Sequence, residues 1–155
     1  MPPAAAGELC LTRNENPLGP SPHVVSALIE AATRVHRYAD NDAHALRASL
    51  ALRLGVHPDE LAFGHGSNAL IELCARTFAS PAEHAIIGVP SFSCYAASLA
   101  AADVPTTRVA LRNGLHWDLN AVLAAVRPAT KLVFLDNPGN PTSTHVPRDA
   151  LQNFL

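Results

Sequence analysis

Residues 41–155 read as an α/β domain: a mostly parallel sheet with helices on both faces. Three observations predict it. The runs Ala85-Ile-Ile-Gly-Val89 and Leu132-Val-Phe-Leu135 are apolar without alternation, the pattern of strands buried on both sides of a parallel sheet. Segments with apolar residues at helical spacing stand around them. Each run ends in a polar, proline-bearing loop that leads into a helix, which sets side chains with binding chemistry at the carboxyl edge of an open sheet.

The elements follow in order. Residues 1–10 are rich in alanine and proline and are expected to be poorly ordered. Arg13-Asn-Glu-Asn-Pro-Leu-Gly-Pro-Ser-Pro22 is a proline-stiffened arm, by composition a linker. Ser21 followed by Pro22 is a helix start, and Val24, Val25, Leu28, Ile29 and Ala32 form one apolar face. Arg37-Tyr38-Ala39-Asp40-Asn41 breaks that helix, with Tyr38 reading as a boundary aromatic. A second helix, Asp42 to Leu54, presents Leu46, Leu50 and Leu54 and stops at Gly55.

Leu61-Ala62-Phe63 reads as a short strand, and Gly64-His65-Gly66-Ser67-Asn68 turns into a helix over residues 69–78. Two glycines allow a tight backbone, Ser67 is an N-cap residue, and the N–H groups of Asn68, Ala69 and Leu70 then form an anion site at the positive end of the helix dipole. The spacing also fits G-x-G-x-x-A of dinucleotide folds, which require an acidic residue ending the next strand. That strand, Ala85 to Val89, ends in Pro90. No Gly-Lys-Ser/Thr follows either, so the loop is not a nucleotide P-loop.

Pro90-Ser-Phe-Ser-Cys-Tyr95 leads into an alanine-rich helix, and Phe92 sits where an aromatic face is partly exposed at the sheet edge. Thr106 to Leu111 alternates like a strand, Asn113-Gly114 turns it, and Leu119, Val122, Leu123 and Val126 stripe a helix ending at Pro128. Leu132–Leu135 then stops at Asp136, and Asn137-Pro-Gly-Asn-Pro141 excludes both helix and continued strand. Pro147 stands at the first position of a last helix carrying Ala150, Leu151 and Phe154.

Composition removes several classes. The chain is 48% hydrophobic and 15% charged, with a net charge of -2. With a pI near 6.4, it lacks the basic surface of a nucleic-acid binder. Three cysteines without C-x-x-C spacing suggest neither a disulfide framework nor a zinc site, but reduced thiols in a cytoplasmic protein. Met1 to Gly7 has no basic or apolar region of a signal peptide, and no run is long enough to span a membrane. The eight histidines show no metal-ligand spacing and read as surface or loop residues, His65 in the glycine turn being the one to watch.

Asn137-Pro138-Gly139-Asn140-Pro141-Thr142 resembles the Asn-Pro-x-Asn-Pro-Thr-Gly signature of fold-type I pyridoxal-phosphate aminotransferases, and from about Leu11 to Leu155 the chain resembles the histidinol-phosphate aminotransferase branch. The resemblance implies a cofactor, pyridoxal 5'-phosphate, and a role for each matching residue. Ser67, Asn68 and Ala69 take its phosphate, Phe92 stacks on its ring, and Asn140 bonds the ring hydroxyl oxygen. Tyr38, in an Arg-Tyr-Ala that replaces the family's Arg-Tyr-Pro, reaches the phosphate of a partner subunit in a homodimer. Asn16, in the arm Asn14-Glu-Asn-Pro17, faces the substrate. Residues 1–40 would then be the active-site arm with the first helix, and 41–155 an incomplete cofactor-binding large domain.

The implied reaction moves an amino group between histidinol phosphate and 2-oxoglutarate. A threonine-phosphate decarboxylase of cobalamin synthesis shares the Asn-Pro-Leu-Gly-Pro arm and is the rival reading, and an inert truncated remnant is another. The family's glycine after Asn-Pro-Thr is Ser143 here, which is strained wherever the turn needs a positive φ. Lys131 is the only lysine. It begins its strand, about 16 Å from Asp136 at roughly 3.3 Å per residue, so it stands at the edge opposite the loops and is not the Schiff-base lysine.

Overall fold

In the computed structural model, residues 14–113 and 115–155 are described. The expectation of disorder for residues 1–10, the arm's Arg13 and the second turn residue Gly114 lie outside them. Two compact units make up the chain, 1–58 and 59–155. The sequence reading groups the second helix with the large domain, whereas by contacts it belongs to the first unit.

In the first unit, α1 spans Pro22–Ala32, and Ser21 caps it by accepting the Val24 N–H at 3.4 Å. Its apolar face is uncovered, with Leu28 63% and Ile29 67% exposed. Helix α2 spans His44–Leu54 and ends at Gly55 with φ +69°, the left-handed stop expected there. Its expected apolar face is not what it buries: Leu46 and Leu54 are exposed, and Ala51 is its buried residue. A single 3-10 turn, Pro58–Glu60, follows.

The second unit holds a three-stranded parallel sheet of β1 (His84–Val89), β2 (Thr106–Ala110) and β3 (Thr130–Phe134), in the order β2-β1-β3. Leu61–Phe63 does not form a strand, a correction to the sequence reading. Three apolar residues are short for a strand, and the described sheet consists of β2, β1 and β3.

Helices α3 (Gly66–Phe78), α4 (Ser93–Ala101), α5 (Leu119–Ala125) and α6 (Arg148–Phe154) surround the sheet. Side chains of β1 alternate between two cores. Ala85 and Ile87 pack with Ala75, Ala79, Leu99 and Val104 on the α3 and α4 side. Ile86 packs with Val109, Leu111, Trp117, Val122 and Val146 on the other, where α6 adds Leu151 and Phe154. Both faces are covered, as the unbroken apolar run requires. Full burial of Ile86 and of Ile87 stabilises by about 1.5–3 kcal/mol each. Gly88 permits this packing, because a Cβ there would lie 2.6 Å from the Trp117 ring.

One histidine departs from the surface reading. His84 opens β1 and is 2% exposed. Its Nδ1 pairs with Thr130 Oγ1 at 2.7 Å and its Nε2 with Thr107 Oγ1 at 2.8 Å, so the ring ties all three strands together at their amino ends. A polar ring is tolerated there because both nitrogens are satisfied.

Candidate active site

The topology makes a crevice before any side chain is considered. From β1 the chain passes through α4 on one face to β2. It then returns past β1 through α5 to β3 and leaves through α6 on the other face. The segments after β1 and β3 thus diverge to opposite sides, and such a switch point is where open α/β sheets bind ligands.

Phe92 follows β1 at this crevice. It occupies the cap position of α4 in extended backbone (φ −61°, ψ 121°) and is half-buried. Asn140 follows β3. Asp136 Oδ2 accepts the Asn140 backbone N–H at 2.8 Å, and the Asn140 side chain makes no hydrogen bond with another described residue. Asn137 clamps the far side of the loop: its Nδ2 donates to Val146 O at 3.1 Å and its Oδ1 accepts the Val146 N–H at 2.9 Å. Gly139 closes the turn within, donating to Thr144 O at 2.7 Å and accepting from Ser143 N–H at 2.8 Å. A Cβ on Gly139 would collide with Thr142 Oγ1. Ser143 has φ +57°, so the turn does need the left-handed conformation, and serine stands where glycine is free of strain.

Ser67, Asn68 and Ala69 lie in the first turn of α3. Residues 79–83 suffice to pass from α3 to β1, so the helix ends at the amino edge of the sheet. Thirteen residues carry its start about 20 Å back, the same length as six-residue β1 at roughly 3.3 Å per residue. The first turn therefore lies level with the carboxyl edge. Its cap differs from the expectation, because His65 and not Ser67 holds the cap position, without a side-chain bond. Gly66, at φ +81°, turns the chain one step earlier, and its N–H is taken by Gly64 O at 2.9 Å. The first-turn amides of Ser67, Asn68 and Ala69, the last two of them expected from the sequence, make no backbone hydrogen bond outside the helix among the described residues. The Ser67 and Asn68 side chains are exposed and without partners among the described residues. The set fits a phosphate ester carrying a flat ring: the open amides of a helix's first turn, a half-exposed aromatic face and a carboxamide without a partner among the described residues.

Asn16 and Tyr38 belong to the first unit. Asn16 Oδ1 accepts the Leu18 N–H at 3.0 Å, and Tyr38 is fully exposed. Lys131 is exposed near the start of β3, at the amino edge, as its strand position implied.

Two residues at the crevice escaped the sequence reading. Tyr95 stacks on Phe134 of β3 (centroids 4.8 Å, 10° between planes) and meets Phe92 edge-on (5.7 Å, 87°). Burial, then the charge of Asp136, pushes its phenol above the ordinary tyrosine value. Asp136, read only as the residue that stops an apolar run, holds the Asn140 loop. The available signals were the three-residue spacing from Phe92 to Tyr95 on a helix and the four from Asp136 to Asn140 in a turn.

Other polar groupings are explained by the fold. Ligand atoms of Asp40, Asp42 and His44 lie within 4.8 Å of one another. Asp40, however, accepts the Asp42 and His44 amides at 3.1 and 2.8 Å and pairs with the His44 ring, which fastens the start of α2. A cavity of about 310 Å³ beside α5 and α6, lined by Arg112, Trp117, Asp118 and Phe154 among others, contains none of the expected site residues. No helix among the described residues is long and apolar enough to cross a membrane.

Known proteins match this arrangement. The family model for aminotransferase class I and II covers residues 7–155. The chain is 41% identical over 145 residues to a histidinol-phosphate aminotransferase of Moorella thermoacetica, covering 94% of this chain and 37% of that protein. It is 44% identical over 147 residues to one of an Anaeromyxobacter species, covering 94% and 40%. A crystal structure of histidinol-phosphate aminotransferase from Sinorhizobium meliloti in complex with pyridoxal-5'-phosphate superposes with a TM-score of 0.84 at 29% identity, over 92% of this chain and 39% of that one. The chain thus spans about 40% of the length of such relatives. A parallel sheet with its loops at the switch point, matched by the family model from residue 7 to residue 155, makes this chain a member of the class I and II aminotransferases.

Proposed function

We propose that this chain forms the cofactor-cradling part of a cytoplasmic, pyridoxal-phosphate-dependent histidinol-phosphate aminotransferase, which transfers an amino group between histidinol phosphate and 2-oxoglutarate. The observation that carries the substrate assignment is identity of 41% to 44%, over 94% of the chain, to proteins of that name. The cofactor assignment draws on the donor set described above.

When bound, pyridoxal phosphate supplies the electron sink for amino-group transfer. This chain's residues bind and orient it. The amides of Ser67, Asn68 and Ala69 and the Ser67 hydroxyl, with the positive end of α3, hold the phosphate dianion. Phe92 lies against the ring and shields it from water on that side. Asn140 donates its carboxamide N–H to the ring hydroxyl oxygen, and Asp136 keeps the loop from turning that donor away. Asn16 contributes to the substrate side, and Tyr38 reaches the phosphate of a partner subunit in a homodimer. In that enzyme, residues 1–40 serve as the active-site arm with its helix, and 41–155 begin the large domain. The amine that bonds the cofactor comes from a lysine other than Lys131.

Glutamate release decides the substrate. The full-length protein with histidinol phosphate, 2-oxoglutarate and cofactor should form glutamate stoichiometrically with the imidazole ketone phosphate. Carbon dioxide release from threonine phosphate, with no glutamate formed from histidinol phosphate, would replace this reading by the decarboxylase.

A further inference from the structure

We infer that Tyr95 is a positioning residue that sets the plane in which Phe92 presents its ring to the cofactor. The inference rests on the reading that Phe92 is the stacking face. Phe92 needs such a fixture. It stands at the cap position of α4, where no side-chain bond anchors it, and a half-buried ring in a turn still swings about two torsions. Stacking is lost as the ring tilts.

Tyr95 supplies the wall. Its N–H donates to Phe92 O at 3.1 Å, which closes the first turn of α4 and brings the two side chains to one face. The rings meet at 87° with centroids 5.7 Å apart, the edge-to-face geometry that the ring quadrupoles favour. Tyr95 is itself immobilised. Its ring lies 4.8 Å from Phe134 and nearly parallel to it, and it packs against the buried cluster of Ala75, Ile87 and Leu99. Phe134 stands two residues before Asp136, the carboxylate that holds the Asn140 loop. The stacking face and the polar donor are therefore both referenced to the end of β3, and the spacing between them is set by one strand. Burial, then the Asp136 charge, raises the phenol above its ordinary value, which favours the neutral ring, so the ring and not a charge is what Tyr95 contributes.

A cofactor-binding cycle on the full-length protein separates this from a plain core role. Pyridoxal phosphate affinity is measured for wild type, Tyr95→Leu, Phe92→Leu and the double variant, with Tyr95→Phe alongside. Tyr95→Leu should weaken binding by about tenfold, and Tyr95→Phe by less than about twofold. In the Phe92→Leu background, Tyr95→Leu should add less than about twofold, because its effect passes through Phe92. An equal loss in both backgrounds, or a loss of about tenfold in Tyr95→Phe, would overturn the inference. Unchanged affinity in Phe92→Leu would sink the stacking reading itself, and this inference with it. Should Tyr95→Leu lack a cooperative thermal transition, Tyr95→Met, closer in volume, takes its place in the cycle.

Discussion

Two residues of the Asn137–Ser143 loop differ in what they give to folding and to binding. The Asn140 carboxamide makes no hydrogen bond with another described residue, so Asn140→Ala should leave the urea midpoint unchanged. Cofactor affinity should fall by about five- to tenfold for the lost hydrogen bond. A large drop in stability would instead make Asn140 a structural residue. Ser143 behaves oppositely. At φ +57° its Cβ crowds the following carbonyl, and Ser143→Gly removes that strain at some cost in unfolded-chain entropy. A net stabilisation of about 1 kcal/mol in equilibrium unfolding is expected. Stability equal to or below wild type would mean that the loop relaxes around serine. Tyr95 and Asp136 belong to this scale as well: each acts on a neighbour's orientation, and single letters carry no trace of that until the neighbour is known.

At the level of the element, β1 is held at its amino end by a histidine that must stay neutral. Arg127 donates through its guanidinium to Thr107 Oγ1 at 2.8 Å and through its backbone N–H to Thr130 Oγ1 at 2.8 Å. A neutral His84 can accept one threonine proton and donate the other bond. A protonated ring would donate to both hydroxyls, each already accepting from Arg127, and strand their protons. Burial, then the Arg127 charge, accordingly lowers the His84 pKa below its usual 6.5. The folded state therefore binds fewer protons than the unfolded one. The stability this provides is fully present above pH 6.5 and is lost as pH falls from there towards the depressed folded value. Urea midpoints taken from pH 7.5 to 5.5 should fall more steeply for wild type than for His84→Gln. Equal slopes would remove His84 from the pH response. At the same scale, α1 keeps its expected cap but leaves Val24, Val25, Leu28 and Ile29 exposed.

For the whole molecule, the predictions concern what this chain needs from others. Tyr38 is fully exposed, and the proposed assembly has it serving a neighbouring subunit. Tyr38→Phe subunits mixed with subunits lacking the cofactor-bonding lysine should recover part of the activity as heterodimers. No recovery above the parents would assign Tyr38 to its own chain. Residues 1–155 expressed by themselves should show no transaminase activity, since Lys131 stands at the amino edge, away from Phe92 and Asn140. A cofactor adduct on Lys131, trapped by borohydride and located by peptide mapping, would overturn that geometry.

Period and punctuation in the sequence determined the class of the fold. Unbroken apolar runs at Ala85–Val89 and Leu132–Leu135 mean a strand covered twice, and both cores are present. Proline and glycine announced the loops because their backbone limits are local, and the same locality made the Ser21 cap, the Gly55 stop and the cost at Ser143 legible. The tertiary structure decided everything that depends on a partner distant in sequence. Leu61–Phe63 reads as a strand but is not one in the structure. His84 reads as surface but is closed in by Thr107 and Thr130 from two other strands. The cap moved from Ser67 to His65 because Gly66 could take a positive φ and turn the chain sooner. Tyr95 and Asp136 matter because β3 lies beside β1 and not beyond β2. Strand order is set by which apolar faces bury one another, a contest among distant segments that no local pattern encodes.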